Sequence, residues 1–304
     1  MKELNIFLDK NKIDYEKNVS FKELTSYKAG GKTLFLVKPK DIKELITVLK
    51  YLKGHNITYK ILGNGTNTLF SDNLFKGVIL KLSNFQNIIY IGETTLIAET
   101  GVSLTKLALD VSKKGLAGLE FAPGIPGTIG GALFMNAGAY KSDMGYIVKR
   151  ATVLTPDYKI ITMTNEELDF HYRTSFFKKN PGYIIINATI SLYKGDKKAL
   201  ESVISDRLLR RRSSQPLEYP SAGSVFKNPP LLSAGKLIDD LGLKGYKIGG
   251  AEVSEKHANF IINKNNAHGE DIKNLIYEVK RRVKESYQID LELEQELVNF
   301  DEKE

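Results

Sequence analysis

The sequence predicts an α+β protein of at least two domains, and three observations support this. The chain has 304 residues, more than one domain usually contains. Short β-prone runs alternate along it with segments of helical periodicity. After Tyr193 the composition changes to a charged helix followed by a proline-rich stretch. We therefore expect a first domain over 1–195, in two parts of about 1–55 and 56–195, and a smaller α+β domain over 196–304.

Individual elements follow from periodicity and capping residues. Asp41, with Glu44 three residues later, predicts a capped helix start. A second amphipathic helix is predicted over 103–114 and ends at Gly115. Strands are predicted at 33–37, 57–62, 78–82, 88–92, 95–99, 148–154, 158–163 and 183–193. Beyond these, we expect helices at 197–212, 233–241 and 269–287 and strands at 258–263 and 289–299.

Composition excludes several classes of site. There is no cysteine, which excludes disulfides, thiolate nucleophiles and cysteine-ligated metals. The histidines lack zinc-site spacing, so no metal site is predicted. The 44 Lys and Arg residues against 36 Asp and Glu give a net charge of +8, which favours anionic partners without choosing among them. No window approaches the roughly 18 apolar residues of a membrane span, and the first residues do not have the pattern of a signal peptide, so none is expected. We expect a soluble, cytoplasmic protein that does not insert into membranes.

Two glycine-rich loops are the main candidates for ligand binding. The first follows the predicted strand 57–62 and can form an anion-binding nest of backbone N–H groups; its residues are Gly63, Asn64, Gly65, Thr66, Asn67 and Thr68. The second extends over 124–140 and contains Gly124, Gly127, Thr128, Gly130, Gly131, Asn136, Ala137 and Gly138. A tight loop and a closely packed helix start are the plainer interpretations. Two such loops in one domain favour a dinucleotide ligand.

Three polar segments complete the candidates. Arg173, beside Tyr172, has the fork geometry for a carboxylate or phosphate, although a surface arginine is the commoner case. Small residues and Ser224 precede Lys227 and Asn228, which suits a polar, anionic ligand. Ser224 lacks the Gly-x-Ser-x-Gly context of a nucleophile. His257 lies in a polar cluster before an apolar strand, and Glu292 and Glu294 share one face of the last predicted strand, toward a site or toward solvent.

With these motifs in place, the chain resembles the MurB family, the UDP-N-acetylenolpyruvoylglucosamine reductases. The resemblance covers roughly 20–299, and the stretches that carry it are the Gly63 loop, 124–140, 172–176, 220–229, 237–263 and the terminal strand. It implies a first half of the FAD-binding PCMH type, also called vanillyl-alcohol-oxidase-like, and a separate substrate domain. It also implies an enzyme of peptidoglycan precursor synthesis in which NADPH reduces FAD and UDP-N-acetylglucosamine-enolpyruvate becomes UDP-N-acetylmuramate.

The resemblance also assigns roles. It implies FAD pyrophosphate on the Gly63 loop and further flavin contacts from 124–138. Because the first loop has no histidine and the chain has no cysteine, the FAD is expected to be noncovalent. Ser224 is implied as the proton donor, with Arg173 and Glu294 stabilising the enol-like intermediate. Substrate contacts are implied for Tyr172, Lys227, Asn228 and His257.

Two departures and two alternatives remain. The chain matches the shorter subtype, without the loop whose tyrosine closes over the substrate. Its terminal strand reads Glu294-Gln295-Glu296, where the family more often has valine after the glutamate.

One alternative is another noncovalent flavin oxidoreductase of the same superfamily, which would lack the features at 224–228 and Glu294. The other is a basic nucleic-acid-binding protein, supported by the net charge and the arginines of 207–211 but by no recognised motif. The oligomeric state is not predicted.

Overall fold

A computed structural model describes residues 2–300. Residue 1 and residues 301–304, which the predicted domains include, lie outside the described residues. The chain forms two compact units that alternate along the sequence. The first contains 2–16, 36–63 and 79–210, and the second contains 17–35, 64–78 and 211–300. Two early segments therefore belong to the unit that contains the C-terminal third. The assignment of functional domains divided at residue 195 stays a prediction.

Helices and strands are distributed over both units. The helices are α1 (Lys2–Lys10), α2 (Phe21–Leu24), α3 (Ile42–Gly54), α4 (Leu104–Lys113), α5 (Ile129–Met135), α6 (Met144–Ile147), α7 (Phe176–Lys179), α8 (Lys197–Ser214), α9 (Ala234–Asp240) and α10 (Gly269–Tyr287). The strands are β1 (Asp14–Ser20), β2 (Lys32–Lys38), β3 (Tyr59–Ile61), β4 (Thr68–Phe70), β5 (Phe75–Leu80), β6 (Ile88–Ile91), β7 (Thr95–Glu99), β8 (Leu116–Ala117), β9 (Gly138–Ala139), β10 (Ser142–Asp143), β11 (Val148–Leu154), β12 (Ile160–Thr164), β13 (Ile184–Ser191), β14 (Tyr193–Lys194), β15 (Lys247–Ile248), β16 (Ala251–Val253), β17 (Ile261–Asn263) and β18 (Glu296–Val298).

The first unit is built on a five-stranded antiparallel sheet with the order β12-β11-β13-β7-β6. Alternate residues of β7, Leu96 and Ala98, point into a core that α4 and α5 also enter. On α4, Leu107 and Val111 recur at helical spacing and are fully buried. This core supports the start of α5, where the second glycine-rich loop lies.

The second unit has a core of its own around α10. The apolar face of this helix packs on the small antiparallel sheet β15-β16-β17. Its first two N–H groups, from Gly269 and Glu270, donate to the carboxylate of Asp72 at 3.1 Å each, so an acidic side chain caps the positive end of the helix. Strands β4 and β18 pair in parallel in this unit. A further sheet has the order β1-β2-β5-β3.

Most predicted elements are confirmed, and the last strand needs correction. The predicted helix over 269–287 coincides with α10, and the predicted strand over 148–154 coincides with β11. The strand predicted over 289–299 is wrong in extent, because only Glu296–Val298 forms a ladder. Before it, Leu293 makes a single bridge with Phe226. The chain changes partner from one segment to another there, which interrupts regular pairing.

Among residues 2–300, no helix combines the length and apolarity that crossing a membrane requires. Within the same residues, no cluster of three or more His, Asp or Glu side chains is arranged to hold a metal ion.

The N-terminal cap of α3 provides a test of the fold. The Asp41 carboxylate accepts the Glu44 N–H at 2.8 Å, and the Glu44 carboxylate accepts the N–H of Lys40 at 2.9 Å rather than that of Asp41. We expect Asp41→Ala to lower the free energy of unfolding by about 1 kcal/mol, measured by urea denaturation. Lys43→Ala, on the exposed face of the same turn, should change it by less than about 0.5 kcal/mol. Equal effects of the two variants would contradict the capping role.

Candidate active site

The two glycine-rich loops meet in the first unit at Gly63 and Thr128. Thr128 is the N-cap of α5, and its hydroxyl oxygen accepts the Gly131 N–H at 3.2 Å. A Cβ atom added at Gly63 would lie 3.0 Å from that same hydroxyl oxygen. Gly63, the first residue of the predicted nest, therefore adjoins the N-terminus of α5 in the second predicted loop.

Some glycines of the second loop are explained by packing against protein. A Cβ atom at Gly130 would lie 2.0 Å from the Thr100 hydroxyl oxygen, and the Gly130 N–H donates to the Thr100 carbonyl at 2.9 Å. A Cβ atom at Gly138 would lie 2.5 Å from the Asp143 side chain. Gly131 differs, because it is exposed and its added Cβ would approach only Thr128, at 3.6 Å. The packed-helix interpretation thus accounts for Gly130, while Gly131 leaves bare backbone at the surface.

The structure joins the second loop to Arg173. The His171 and Thr174 backbones exchange two hydrogen bonds, of 3.1 and 3.2 Å, and Arg173 in this turn has a φ of 54°. Its Nη2 donates to the Gly138 carbonyl at 3.0 Å. Beside it, Tyr172 is exposed, with its ring centroid 5.0 Å from the guanidinium carbon. The motifs at 124–138 and 172–173 therefore form one local structure.

Asn136 connects these two motifs through its side-chain amide. Asn136 ends α5 in the left-handed conformation and is 1% exposed. Its Nδ2 donates to the His171 carbonyl at 2.9 Å, and its Oδ1 accepts the Gly145 N–H at 3.0 Å. The amide that the sequence suggests for a cofactor is thus engaged in holding the turn that carries Arg173. A contact of Asn136 or its neighbour Ala137 with FAD stays a prediction.

In the second unit, the rest of the first loop lies against the segment that contains Glu294. Gly65 has a φ of 61°, and a Cβ atom there would lie 2.4 Å from the Leu24 carbonyl oxygen. Asn67 Nδ2 donates to the Glu294 carbonyl at 3.0 Å, and the Asn67 carbonyl accepts the Glu296 N–H at 3.0 Å. Thr68 then begins β4, which pairs with β18. Residues 64–68, with Thr66 among them, are thereby fixed relative to Glu294.

The segment after Ser224 is held by the backbone of Glu294 and by Asn259. The Val225 carbonyl accepts the Glu294 N–H at 2.9 Å. Asn259, 4% exposed, receives the Phe226 N–H on its Oδ1 at 3.0 Å and donates from Nδ2 to the Phe226 carbonyl at 2.8 Å. Two predicted catalytic residues, Ser224 and Glu294, are therefore on neighbouring backbone segments of one unit.

The predicted substrate-binding residues surround this segment. Lys227 forms an ion pair with Glu292 and donates its backbone N–H to the Glu292 carbonyl at 2.8 Å. Asn228 Oδ1 accepts the N–H of Ala234, the first residue of α9, at 3.1 Å. Lys227 and Asn228 are thus fixed by protein contacts, and a contact of either residue with the substrate stays a prediction.

His257 is the remaining predicted residue of this group. Its Nδ1 accepts the Asn259 N–H at 3.2 Å, and burial lowers its pKa below the ordinary value for histidine. The ring is therefore neutral at physiological pH, with Nε2 protonated as a hydrogen-bond donor.

Sequence reasoning assigned no role to three buried residues of this unit. Besides Asn259, these are Tyr27 and Gln295, whose side chains are hydrogen-bonded to each other at 2.9 Å. The amide of Gln295 also bonds the carbonyls of Ala222 and Gly223. The available signal was Gln295 itself, a polar residue at a position where the resemblance implies valine.

Comparison with known proteins matches both parts of the chain. The model for an FAD binding domain matches residues 33–164, and the model for the C-terminal domain of UDP-N-acetylenolpyruvoylglucosamine reductase matches 215–298. The chain is 44% identical over 297 residues to the reductase of Clostridium novyi, covering 98% of this chain and 95% of the relative. It is 46% identical over 274 residues to that of Caldanaerobacter subterraneus, covering 90% of each. The chain belongs to the UDP-N-acetylenolpyruvoylglucosamine reductase family.

A solved structure agrees with this. The crystal structure of MurB from Thermus caldophilus matches with a TM-score of 0.80 and 33% identity, over 94% of this chain and 99% of that one. The predicted family, the FAD-binding part followed by a MurB C-terminal domain, and the class of FAD-dependent oxidoreductase are confirmed. The MurB-type C-terminal domain also removes the alternative of a different flavin oxidoreductase, which would lack that region.

The different surroundings of two neighbouring glycines yield a prediction. Gly130→Ala forces a methyl group against Thr100, so we expect it to lower the free energy of unfolding by about 1–3 kcal/mol. Gly131→Ala should keep that free energy and still weaken FAD retention, because its methyl group projects from the loop surface. Thermal unfolding of the cofactor-free protein and flavin content after desalting measure the two effects.

A companion change isolates the cause. Thr100→Ala removes the oxygen that Gly130→Ala would meet, and the double variant should regain part of the lost stability. Normal FAD retention in Gly131→Ala would contradict a cofactor contact at that residue.

Proposed function

We propose that this chain reduces UDP-N-acetylglucosamine-enolpyruvate to UDP-N-acetylmuramate with NADPH, in the cytoplasm, using Arg173, Ser224 and Glu294 for the chemistry. The observation that carries the proposal is the hydrogen bond from the Glu294 N–H to the Val225 carbonyl. It holds the segment that carries Glu294 against the residue that follows Ser224, the assigned proton donor. The reduction itself, and its place in peptidoglycan precursor synthesis, follow from membership of the family.

The residues present fit FAD. Bare backbone at Gly63 adjoins the start of α5, and the exposed backbone of Gly131 lies on the same turn. We assign the pyrophosphate to residues 63–68 and further flavin contacts to residues of 124–138. When bound, FAD supplies the two-electron carrier between NADPH and substrate. No cysteine exists in the chain and residues 63–68 contain no histidine, so FAD is held without a covalent bond.

Arg173 is suited to the negative charge that develops on the substrate. Addition of hydride to the vinyl carbon places charge on the adjacent carbon and on the carboxylate. The Gly138 carbonyl holds Nη2 of the guanidinium, which orients the fork before substrate arrives. A preorganised donor of this kind contributes about 10²–10³-fold in rate.

Ser224 and Glu294 complete the reduction. Ser224 donates a proton to the substrate carbon next to the one that receives hydride, and Glu294 stabilises the enol-like intermediate. A serine hydroxyl is a weak acid, so its placement has to be accurate. Facing a developing anion, Glu294 is assigned as protonated or bridged by a donor.

The substrate's polar groups are assigned to the remaining residues. Lys227 and Asn228 bind the UDP-sugar, Tyr172 provides an exposed ring beside Arg173, and His257 donates a hydrogen bond from Nε2. The substrate and NADPH carry phosphate groups, and these anions account for the basic character of the chain without nucleic acid.

The visible spectrum tests the cofactor assignment. We expect the purified, desalted protein to show a flavin spectrum, and acid precipitation to release the yellow colour into the supernatant, since nothing links FAD covalently. Colourless protein that also fails to take up added FAD would contradict the assignment.

The two half-reactions test Ser224. We expect Ser224→Ala to leave reduction of the flavin by NADPH unchanged, because that step needs no proton on the sugar substrate. Reoxidation by UDP-N-acetylglucosamine-enolpyruvate should slow by about 10²–10⁴-fold, the range for a placed proton donor. Anaerobic stopped-flow absorbance measures both rates. Ser221→Ala, three residues earlier, is the control, and equal slowing in both variants would refute the role.

A further inference from the structure

A buried hydrogen-bond chain in the second unit ends at the backbone immediately before Ser224. The Tyr27 hydroxyl donates to Gln295 Oε1 at 2.9 Å, and Gln295 Nε2 donates to the carbonyls of Ala222 at 3.1 Å and Gly223 at 3.2 Å. Tyr27 is 0% exposed and Gln295 is 4% exposed. The chain joins residues 268 positions apart in sequence, and the bonds of Gln295 to Tyr27 and Ala222 are buried.

The geometry bears directly on the orientation of Ser224. Gly223 has a φ of 76°, a conformation that glycine reaches and leaves easily. The Gly223 carbonyl belongs to the same planar peptide as the Ser224 nitrogen. Holding the Ala222 and Gly223 carbonyls on one amide therefore fixes two successive peptide planes, and with them the direction in which the Ser224 side chain leaves the backbone.

Gln295 also follows Glu294 directly. The Glu294 N–H is bound to the Val225 carbonyl at 2.9 Å, which fixes the backbone on the far side of Ser224. The Gln295 side chain fixes the near side. The Ser224 turn is thereby held on both sides from the segment that carries Glu294.

We propose that Gln295 is a positioning residue for the reaction, and that it orients Ser224 relative to Glu294 by binding the Ala222 and Gly223 carbonyls. The inference rests on the proposed role of Ser224. Gln295 itself takes no part in the proton or hydride transfer.

Tyr27 fixes which way the Gln295 amide points. Its hydroxyl is protonated at neutral pH and donates to Oε1, and burial raises its pKa further above the ordinary value for tyrosine. A donor at Oε1 leaves the NH₂ group of Gln295 facing the two carbonyls. The Tyr27 backbone is held in turn, because Asn263 Nδ2 donates to its carbonyl at 2.9 Å. Tyr27 is therefore held in place by its own backbone contact while it fixes the orientation of the Gln295 amide.

The main test separates positioning from general support of the fold. Gln295→Met keeps the length of the side chain and removes both N–H donors. We expect reoxidation of the reduced enzyme by UDP-N-acetylglucosamine-enolpyruvate to slow by about 10–100-fold, since a 1 Å misplacement costs about 10²-fold. Reduction of the flavin by NADPH should stay within about twofold of the wild-type rate, because Ser224 does not act in that step. Stopped-flow absorbance measures both rates on the FAD-loaded enzyme.

Tyr27→Phe provides a second, milder variant should Gln295→Met fail to fold. It removes one hydroxyl, so the orientation of the Gln295 amide is no longer fixed. Reoxidation should therefore slow by a smaller factor than in Gln295→Met. Where both variants fold, the double variant should be no slower than Gln295→Met alone, because both changes break one chain.

A matched control removes a buried hydroxyl elsewhere in the same unit. Thr33 is 0% exposed and its hydroxyl donates to the Phe35 carbonyl at 3.0 Å. Thr33→Val should leave both half-reactions at the wild-type rates, even where it lowers the melting temperature.

The outcomes are distinguishable. Wild-type enzyme that is not reoxidised by the enolpyruvyl substrate would overturn the proposed function itself. Active wild type with normal reoxidation in Gln295→Met would overturn the positioning role alone. Equal slowing of both half-reactions would show that Gln295 supports the fold generally, which also overturns the inference.

Discussion

The backbone of Glu294 is the point on which the second unit's part of the site depends. Its N–H is bound by the Val225 carbonyl and its C=O by the Asn67 amide, at 2.9 and 3.0 Å. One residue thus connects the first glycine-rich loop, the Ser224 segment and the start of β18. Both of these bonds are made by backbone atoms of Glu294, whereas the proposed chemistry uses its carboxyl group.

Around the predicted catalytic residues, buried side-chain amides form the hydrogen bonds to backbone groups that a regular helix or sheet would otherwise form. The segments that carry Arg173 and Ser224 are turns, whose backbone groups have no ladder to pair with, and an unpaired buried group costs about 1–3 kcal/mol. Asn136, Asn259 and Gln295 donate to carbonyls of those segments, Asn259 also accepts an N–H there, and each is at most 4% exposed. An amide has two donors and an acceptor in one plane, so one side chain can hold two peptide groups. This explains how loops can present reactive residues from fixed positions.

Local patterns were sufficient for α3, α4, α8, α9 and α10 and for many of the strands, because capping and periodicity are properties of neighbouring residues. They did not predict α1 or the short helices α2, α5, α6 and α7. The start of α3 at Asp41 and the extent of α10 were predictable in this way. Sheet order and the alternation of the two units were not, because they depend on pairs such as Tyr27 and Gln295 that are far apart in sequence. The motifs identified segments that contact one another in the structure, but not what each residue contacts. The sequence pattern predicts that Gly130 binds a ligand. Only the position of the Thr100 hydroxyl shows that Gly130 is needed for close packing against protein.

The Tyr27–Gln295 pair contributes orientation as well as stability. Removing one partner leaves the other's polar atom buried and unpaired at a cost of about 1–3 kcal/mol, and replacing both by apolar residues of similar shape is nearly neutral only where no third group loses a partner. Here the Ala222 and Gly223 carbonyls also bind the Gln295 amide, so an apolar pair would cost stability as well. It would leave the Ala222 and Gly223 carbonyls without the Gln295 amide and the turn before Ser224 free to rotate about Gly223. What the polar pair adds is one defined orientation of that turn, and a weakly acidic proton donor depends on orientation more than a strong one does.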